Sequence, residues 1–165
     1  MNHEAAARHA QGLRSAALTL HAHSQRLLAA IPSGRYTDES SFQAVFDQLG
    51  HSVGSVVLLS FAIEVMIKAI AAKGGVDPKR THHLGQLFGA LACETQNSVE
   101  GRFLTVWRLE NEADPPTKLR AVLDEAATAF EDWRYQFEGK QSSLGANIIR
   151  LKWAFVAIQE EYAAP

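Results

Sequence analysis

The strongest constraint on the fold is a stretch of 17 residues, 56–72, that is almost entirely apolar. Its only polar residues are Ser60, Glu64 and Lys68, which are spaced four apart. On a helix they form a single row, and every other side of the helix is apolar. Such a helix must be enclosed by other helices, with its polar row facing solvent, a partner or a site. The stretch therefore predicts an all-α protein and makes Glu64 and Lys68 candidate site residues.

Length, charge and cysteine content narrow the class of protein. A chain of 165 residues fits one domain, 1–165. Its 18 acidic residues outnumber its 16 basic ones, so it lacks the basic excess typical of non-specific nucleic-acid binding. Cys93 is the only cysteine and cannot form an internal disulfide. The first residues do not resemble a signal peptide, and Glu64 with Lys68 would be costly in lipid. We expect a cytoplasmic protein without a membrane span.

Glycine, proline and capping residues divide the chain into helices. The apolar spacing predicts helices over about 2–31, 41–72, 81–91, 98–110 and 119–130, and a last one that opens at Ser142–Ser143. Thr81 is the predicted N-cap of the third helix. Gly50 and Gly54 within the second predict close helix packing or a bend. No strand pattern is present. We predict an up-and-down bundle of five to six helices with the 41–72 helix at its centre.

The sequence lacks the signatures of several common sites. It has no Glu-x-x-His for a di-iron bundle and no Gly-rich phosphate loop of the P-loop kind. A single cysteine and the absence of a histidine pair at i,i+4 disfavour structural zinc. We therefore predict no metal and no cofactor.

Two segments resemble the HEPN superfamily, the higher eukaryotes and prokaryotes nucleotide-binding domain. The first is Ala62-x-Glu64-x-x-x-Lys68-Ala69, which is followed by a Gly-containing loop and then by Thr81-His82-His83-Leu84. Members often carry a Thr-His-Asp-Leu turn there, so His83 replaces the usual aspartate. The second segment runs from Phe130 to Glu138 and is similar to the late Arg-Tyr segment of small HEPN proteins, with Arg134 and Tyr135 at that position.

The resemblance implies a helical bundle that forms a homodimer. HEPN proteins include metal-independent ribonucleases that act as toxins or phage-defence effectors. Others are non-catalytic partners of a minimal nucleotidyltransferase, or modules that bind nucleotides. The family therefore implies a nucleotide or RNA ligand and a prokaryotic toxin–antitoxin or defence setting.

The chain departs from the ribonuclease pattern of the family. HEPN ribonucleases carry an Arg-x4-6-His motif late in the domain, whereas no histidine follows Arg134, or occurs anywhere after His83. Arg14 and His21 match the spacing, but they lie in the first predicted helix. We interpret that pair as part of a solvated helix face, and we predict weak or absent ribonuclease activity.

The candidate ligand-binding residues come from three separate segments. We predict that Glu64, Lys68, His82 and Arg134 converge, because two cations and an imidazole grouped near one carboxylate suit a phosphate group. Three further candidates lie beside them in sequence: His83, Tyr135 and Glu138. Structural roles remain open for all of them. Glu64 and Lys68 can form a simple i,i+4 ion pair, the histidines can cap a helix, and Arg134 can brace helices through Glu138. A purely structural helical interaction protein is the competing class.

Overall fold

The computed structural model describes residues 2–30, 39–78, 80–110, 117–127 and 147–165. Over these ranges the chain is all-α, as predicted, and it contains no strand. The helices are α1 His3–Ala30, α2 Glu39–Lys73, α3 Leu84–Phe88, α4 Cys93–Glu110, α5 Leu119–Glu125 and α6 Ile148–Ala163.

Helix α1 packs antiparallel on α2 through a seam of small side chains. Its buried residues are Ala7, Ala10, Ala17 and Ser24, which recur every three or seven positions. This spacing keeps one narrow stripe of α1 against its neighbour. On α2, a β-carbon at Gly54 would lie 3.4 Å from Cδ1 of Leu20, so Gly54 faces α1, whereas one at Gly50 would meet none of the described residues within 4 Å.

Helix α2 is the central helix, but only over its second half. Its buried residues run from Val53 to Ala69 and contact the other helices of the core. Residues 39–52 contribute none of the buried side chains that the structure describes. Among the described helices, α6 is too short to cover the whole of α2, since the 35 residues of α2 span about 52 Å and the 16 residues of α6 only about 24 Å. The prediction that the 41–72 helix lies at the centre of the bundle is therefore correct for residues 53–69 and wrong for its first part.

Part of α2 is long and apolar enough to cross a bilayer. This segment, Phe42–Lys73, is the one such helix among the described residues, and 61% of its most apolar window is buried inside the protein. That burial is typical of a core helix.

The predicted boundaries of three helices need correction. Helix α3 has five residues and begins after His83, which is its N-cap, whereas Thr81 lies in the preceding turn and accepts a hydrogen bond from the His83 amide. Helix α4 begins at Cys93, five residues before the predicted start. Helix α6 begins at Ile148, because Asn147 caps it by accepting the amides of Ile149 and Arg150. The predicted opening at Ser142–Ser143 lies outside the described residues.

Candidate functional site

A buried carboxylate lies at the centre of the candidate site. Glu64 is 7% exposed and is surrounded by the apolar residues of α2 that form the core. Its Oε1 accepts a hydrogen bond from Nζ of Lys68 at 2.6 Å, in the Glu-first i,i+4 order that favours such pairs. The Lys68 side chain is itself only 20% exposed. Because a buried carboxylate is costly unless it is paired, this contact is what allows Glu64 to remain in the core.

The turn before α3 brings a second partner to the same carboxylate. Nδ1 of His82 lies 3.0 Å from Oε1 and 3.2 Å from Oε2 of Glu64. The His82 side chain is 83% exposed, whereas that of Glu64 is 9% exposed. A carboxylate can only accept, so this geometry places a proton on Nδ1 and leaves Nε2 facing solvent. The imidazole is thus anchored on one side and free on the other.

The next residue of the turn faces a different carboxylate. Nδ1 of His83 is buried and lies 3.9 Å from Oδ1 of Asp124 in α5, which is too long for a hydrogen bond. Asp124 is held by Arg120, whose Nε lies 3.2 and 3.1 Å from its two oxygens. Thr81-His82-His83 therefore contacts α2 on one side and faces α5 on the other.

Two glycines allow α5 to approach this turn. A β-carbon at Gly85 would lie 1.7 Å from Oδ1 of Asp124, and one at Gly89 would lie 2.7 Å from Nη1 of Arg120. Any side chain at Gly85 would collide with the Asp124 carboxylate. The Arg120–Asp124 pair was not predicted, although the Gly-x-x-x-Gly spacing in α3 is a signal of close helix approach.

A small apolar pocket adjoins Lys68. It has a volume of about 120 Å³ and lies between α2, the loop after it and α3. Lys68 and Asp77 are its charged lining residues, and the others are Ile67, Ala71, Val76, Pro78, Leu87, Ala90 and Leu91. Lys68 therefore lines the pocket while its ammonium group contacts Glu64.

The structure brings together three of the four residues that were predicted to converge. Glu64, Lys68 and His82 form one cluster, which we call the Glu64 cluster. His83 lies beside it but faces Asp124. The remaining predicted residues of the site lie outside the described residues: Arg134, Tyr135 and Glu138.

The Arg14–His21 pair lies apart from the Glu64 cluster. The guanidinium carbon of Arg14 is 5.5 Å from the ring centre of Phe155 in α6. Its Nε is buried, and it has no hydrogen-bond partner among the residues described. His21 lines a groove between α1, α2 and the start of α6. Neither residue forms a hydrogen bond or ion pair with the described residues of the Glu64 cluster, so this pair is separate from that site.

The described ranges contain no group of three or more His, Cys, Asp or Glu side chains that could hold a metal ion. Comparison of the chain with known protein families, with curated proteins and with solved structures found no match.

Proposed function

We propose that this protein is a HEPN-like module that binds the phosphate group of a nucleotide or RNA at the Glu64 cluster. The observation that carries the proposal is the anchored imidazole of His82. Nδ1 donates to a buried carboxylate, and the 83% exposure of the side chain leaves Nε2 accessible to solvent. An exposed histidine that only filled space would not need a buried partner, whereas a ligand-binding histidine needs a fixed ring orientation.

The charges of the cluster suit an anionic ligand. With a proton on both nitrogens, His82 donates from Nδ1 to Glu64 and from Nε2 to a phosphate oxygen. Lys68 supplies a cation, which Glu64 holds in place at 2.6 Å. Glu64 thus acts as a positioning residue for both the imidazole and the ammonium group. The apolar pocket of about 120 Å³ beside Lys68 offers a surface for the less polar part of the same ligand.

Calorimetric titration tests this proposal. Wild-type protein in excess chelator is titrated with ATP and, separately, with a short single-stranded RNA. We expect binding that is lost in His82→Ala and weakened in Lys68→Ala. His9→Ala is the matched control, because His9 is an exposed histidine in α1 that is distant in sequence from the site. Absence of binding by the wild type, or equal binding by His82→Ala, would refute the site.

A metal-independent ribonuclease with a non-standard site is the second candidate function. The observation that favours it is the same carboxylate–imidazole pair, since a general base needs a free ring nitrogen and an oriented ring. A purely structural interaction protein is the competing class. In that case Glu64→Gln and His82→Ala would change the melting temperature without changing binding of any nucleotide or RNA.

The biological setting follows from the resemblance alone. We propose a role in a prokaryotic toxin–antitoxin or phage-defence system, with a minimal nucleotidyltransferase as a possible partner and a homodimer as the assembly. A neighbouring gene that encodes a nucleotidyltransferase, and co-purification of the two proteins from a shared operon, would support that partner. A neighbourhood without such a gene would favour the nuclease or the binding module.

A further inference from the structure

The first half of α2 carries a row of exposed apolar side chains. Phe42, Phe46 and Leu49 are 52%, 66% and 51% exposed, and they follow one another at i, i+4 and i+7. The same face continues into Val53, which is buried. Leu28 of α1 is 51% exposed and comes level with Phe46, because Ser24, one turn earlier, bonds the Gln48 carbonyl of the antiparallel α2.

A groove opens on this same face, directly beyond the exposed row. It has a volume of about 250 Å³ and lies between α1, α2 and the first residue of α6. Its walls are His21, Gln25, Leu49, Ser52, Val53, Ser55, Val56 and Ile148. A cavity of about 150 Å³ is large enough to hold benzene, so a phenyl ring fits this groove.

We propose that this face is the interface of a two-fold symmetric homodimer in which Phe46 of each copy enters the groove of the other. The proposal names the surface of the homodimer that the family resemblance implies. It rests on that part of the proposed function and is independent of the Glu64 cluster.

The geometry of the two features fits a two-fold axis. Phe46 and Val53 are seven residues apart, which is about 10 Å along α2 and two turns on the same face. If each Phe46 is to reach the groove of the other copy, the axis must pass midway, beside Leu49 and Gly50. The two α2 helices then cross antiparallel, and each side chain meets the counterpart that an isologous interface requires.

Gly50 lies where the two helices would cross. A glycine within a helix lowers local helix propensity, and the close packing that explains Gly54 is absent at Gly50. A β-carbon at Gly50 would meet nothing within 4 Å. Among the residues that the structure describes, then, the missing side chain serves no contact. Close approach of a second α2 helix gives it a role.

The exposed area agrees with a dimer of ordinary size. The two phenylalanines and two leucines expose roughly 400 Å² per copy, with about 200 Å² for one fully exposed aromatic side chain. Two copies therefore contribute roughly 800 Å² of apolar area to the interface. Because apolar atoms make up roughly 60% of a typical interface, the total buried area is about 1,300 Å². That total lies within the range of stable interfaces.

Analytical ultracentrifugation over micromolar concentrations tests the proposal. We expect twice the 18.1 kDa mass of one chain for the wild type. Phe46→Asp and Gly50→Leu should raise the dissociation constant at least about thirtyfold, the change that corresponds to loss of an interface hot spot. Neither change disturbs a buried contact within one chain, so both variants should fold. Leu109→Asp and Gly12→Leu are the matched controls, because both positions are open in a single chain.

Disulfide trapping gives a second measurement. In a Cys93→Ser background, Leu49→Cys should cross-link two chains under mild oxidation, since Leu49 lies beside the axis, and Leu109→Cys should not. A wild type that stays monomeric at tens of micromolar would overturn the proposal. A dimer that Phe46→Asp and Gly50→Leu leave intact would also overturn it, because the interface would then lie elsewhere. Nucleotide binding by the Phe46→Asp variant distinguishes failure of the dimer interface from failure of the proposed ligand site. The substitution does not alter the Glu64 cluster, so binding should persist even if the interface proposal is wrong.

Discussion

Nδ1 of His82 lies 3.0 Å from Oε1 of Glu64, and the two residues differ sharply in their exposure to solvent. Glu64 belongs to the core helix α2, while His82 belongs to the exposed turn before α3. Their hydrogen bond ties an otherwise solvent-facing side chain to the buried second half of α2. The same bond fixes which ring nitrogen is available for chemistry.

Removal of the Glu64 carboxylate should destabilise the protein. In Glu64→Ala the Lys68 ammonium loses its partner while its side chain stays mostly buried, and we expect a loss of about 1–3 kcal/mol in the free energy of unfolding. Glu64→Gln, which keeps an acceptor oxygen, should lose less. Urea denaturation measures both. Glu4→Ala is the control, since the Glu4–Arg8 pair is exposed and 3.9 Å apart, and it should show no measurable change.

The contact between α3 and α5 should depend on the absence of a side chain at Gly85. Gly85→Ala places a β-carbon against the ends of the Asp124 and Arg120 side chains, so this half-exposed ion pair must shift, and we expect a loss of up to about 1 kcal/mol. Gly12→Ala is the matched control, because that position on α1 is open and the change should stabilise by up to about 1 kcal/mol. Thermal melts of both variants give the comparison. A melting temperature for Gly85→Ala as high as that of Gly12→Ala would contradict the close approach.

A double variant identifies the colliding partner. If the collision is with Asp124, then Gly85→Ala combined with Asp124→Ala should recover part of the lost stability, and the two changes should be non-additive. If the loss of stability in the double variant equals the sum of the losses in the two single variants, the strain in Gly85→Ala arises from another neighbour.

The sequence predicted those parts of the site that a single helix determines. The spacing of Glu64 and Lys68 sets their contact on α2 directly, and the Thr81-His82 turn follows α2 closely enough for His82 to reach the same carboxylate. The contact between Gly85 and Asp124 could not be predicted, since it depends on how two short helices 39 positions apart in sequence pack in space.

The extent of burial along α2 was overestimated for a related reason. Apolar periodicity shows which face of a helix avoids water, but it does not show how far the neighbouring helices extend. Phe42, Phe46 and Leu49 follow the core pattern of Val53 and yet are more than half exposed. Where the core ends along α2 depends on how far the neighbouring helices extend, and the apolar pattern of α2 does not contain that information.

The second half of α2 should show the cost of a core cavity. Ile67 is 1% exposed, and we expect Ile67→Ala to lose about 2–5 kcal/mol of unfolding free energy. Phe61 of the same helix is only half-buried, so Phe61→Ala should lose less than Ile67→Ala. Chemical denaturation followed by circular dichroism measures both. A wild-type midpoint for Ile67→Ala would contradict the central position of this half of the helix.

Ribonuclease activity should be weak or absent. Metal-free cleavage of RNA needs an acid or base near the 2′-hydroxyl, and the histidine that HEPN ribonucleases carry late in the domain is missing. The measurement is incubation of a labelled RNA with purified protein in excess chelator, beside the variants His82→Ala, His83→Ala and Arg134→Ala.

The pattern of loss among variants decides which residues act if the wild type does cleave. Loss in His82→Ala, with the pH profile altered in Glu64→Gln, would assign cleavage to the imidazole that Glu64 orients. Loss in Arg14→Ala and His21→Ala would assign it to the α1 pair, which makes no hydrogen bond or ion pair with the Glu64 cluster and contacts α6 instead. Cleavage that persists in all five variants would point to a contaminating nuclease, because no metal-free mechanism at either pair survives removal of its own histidine.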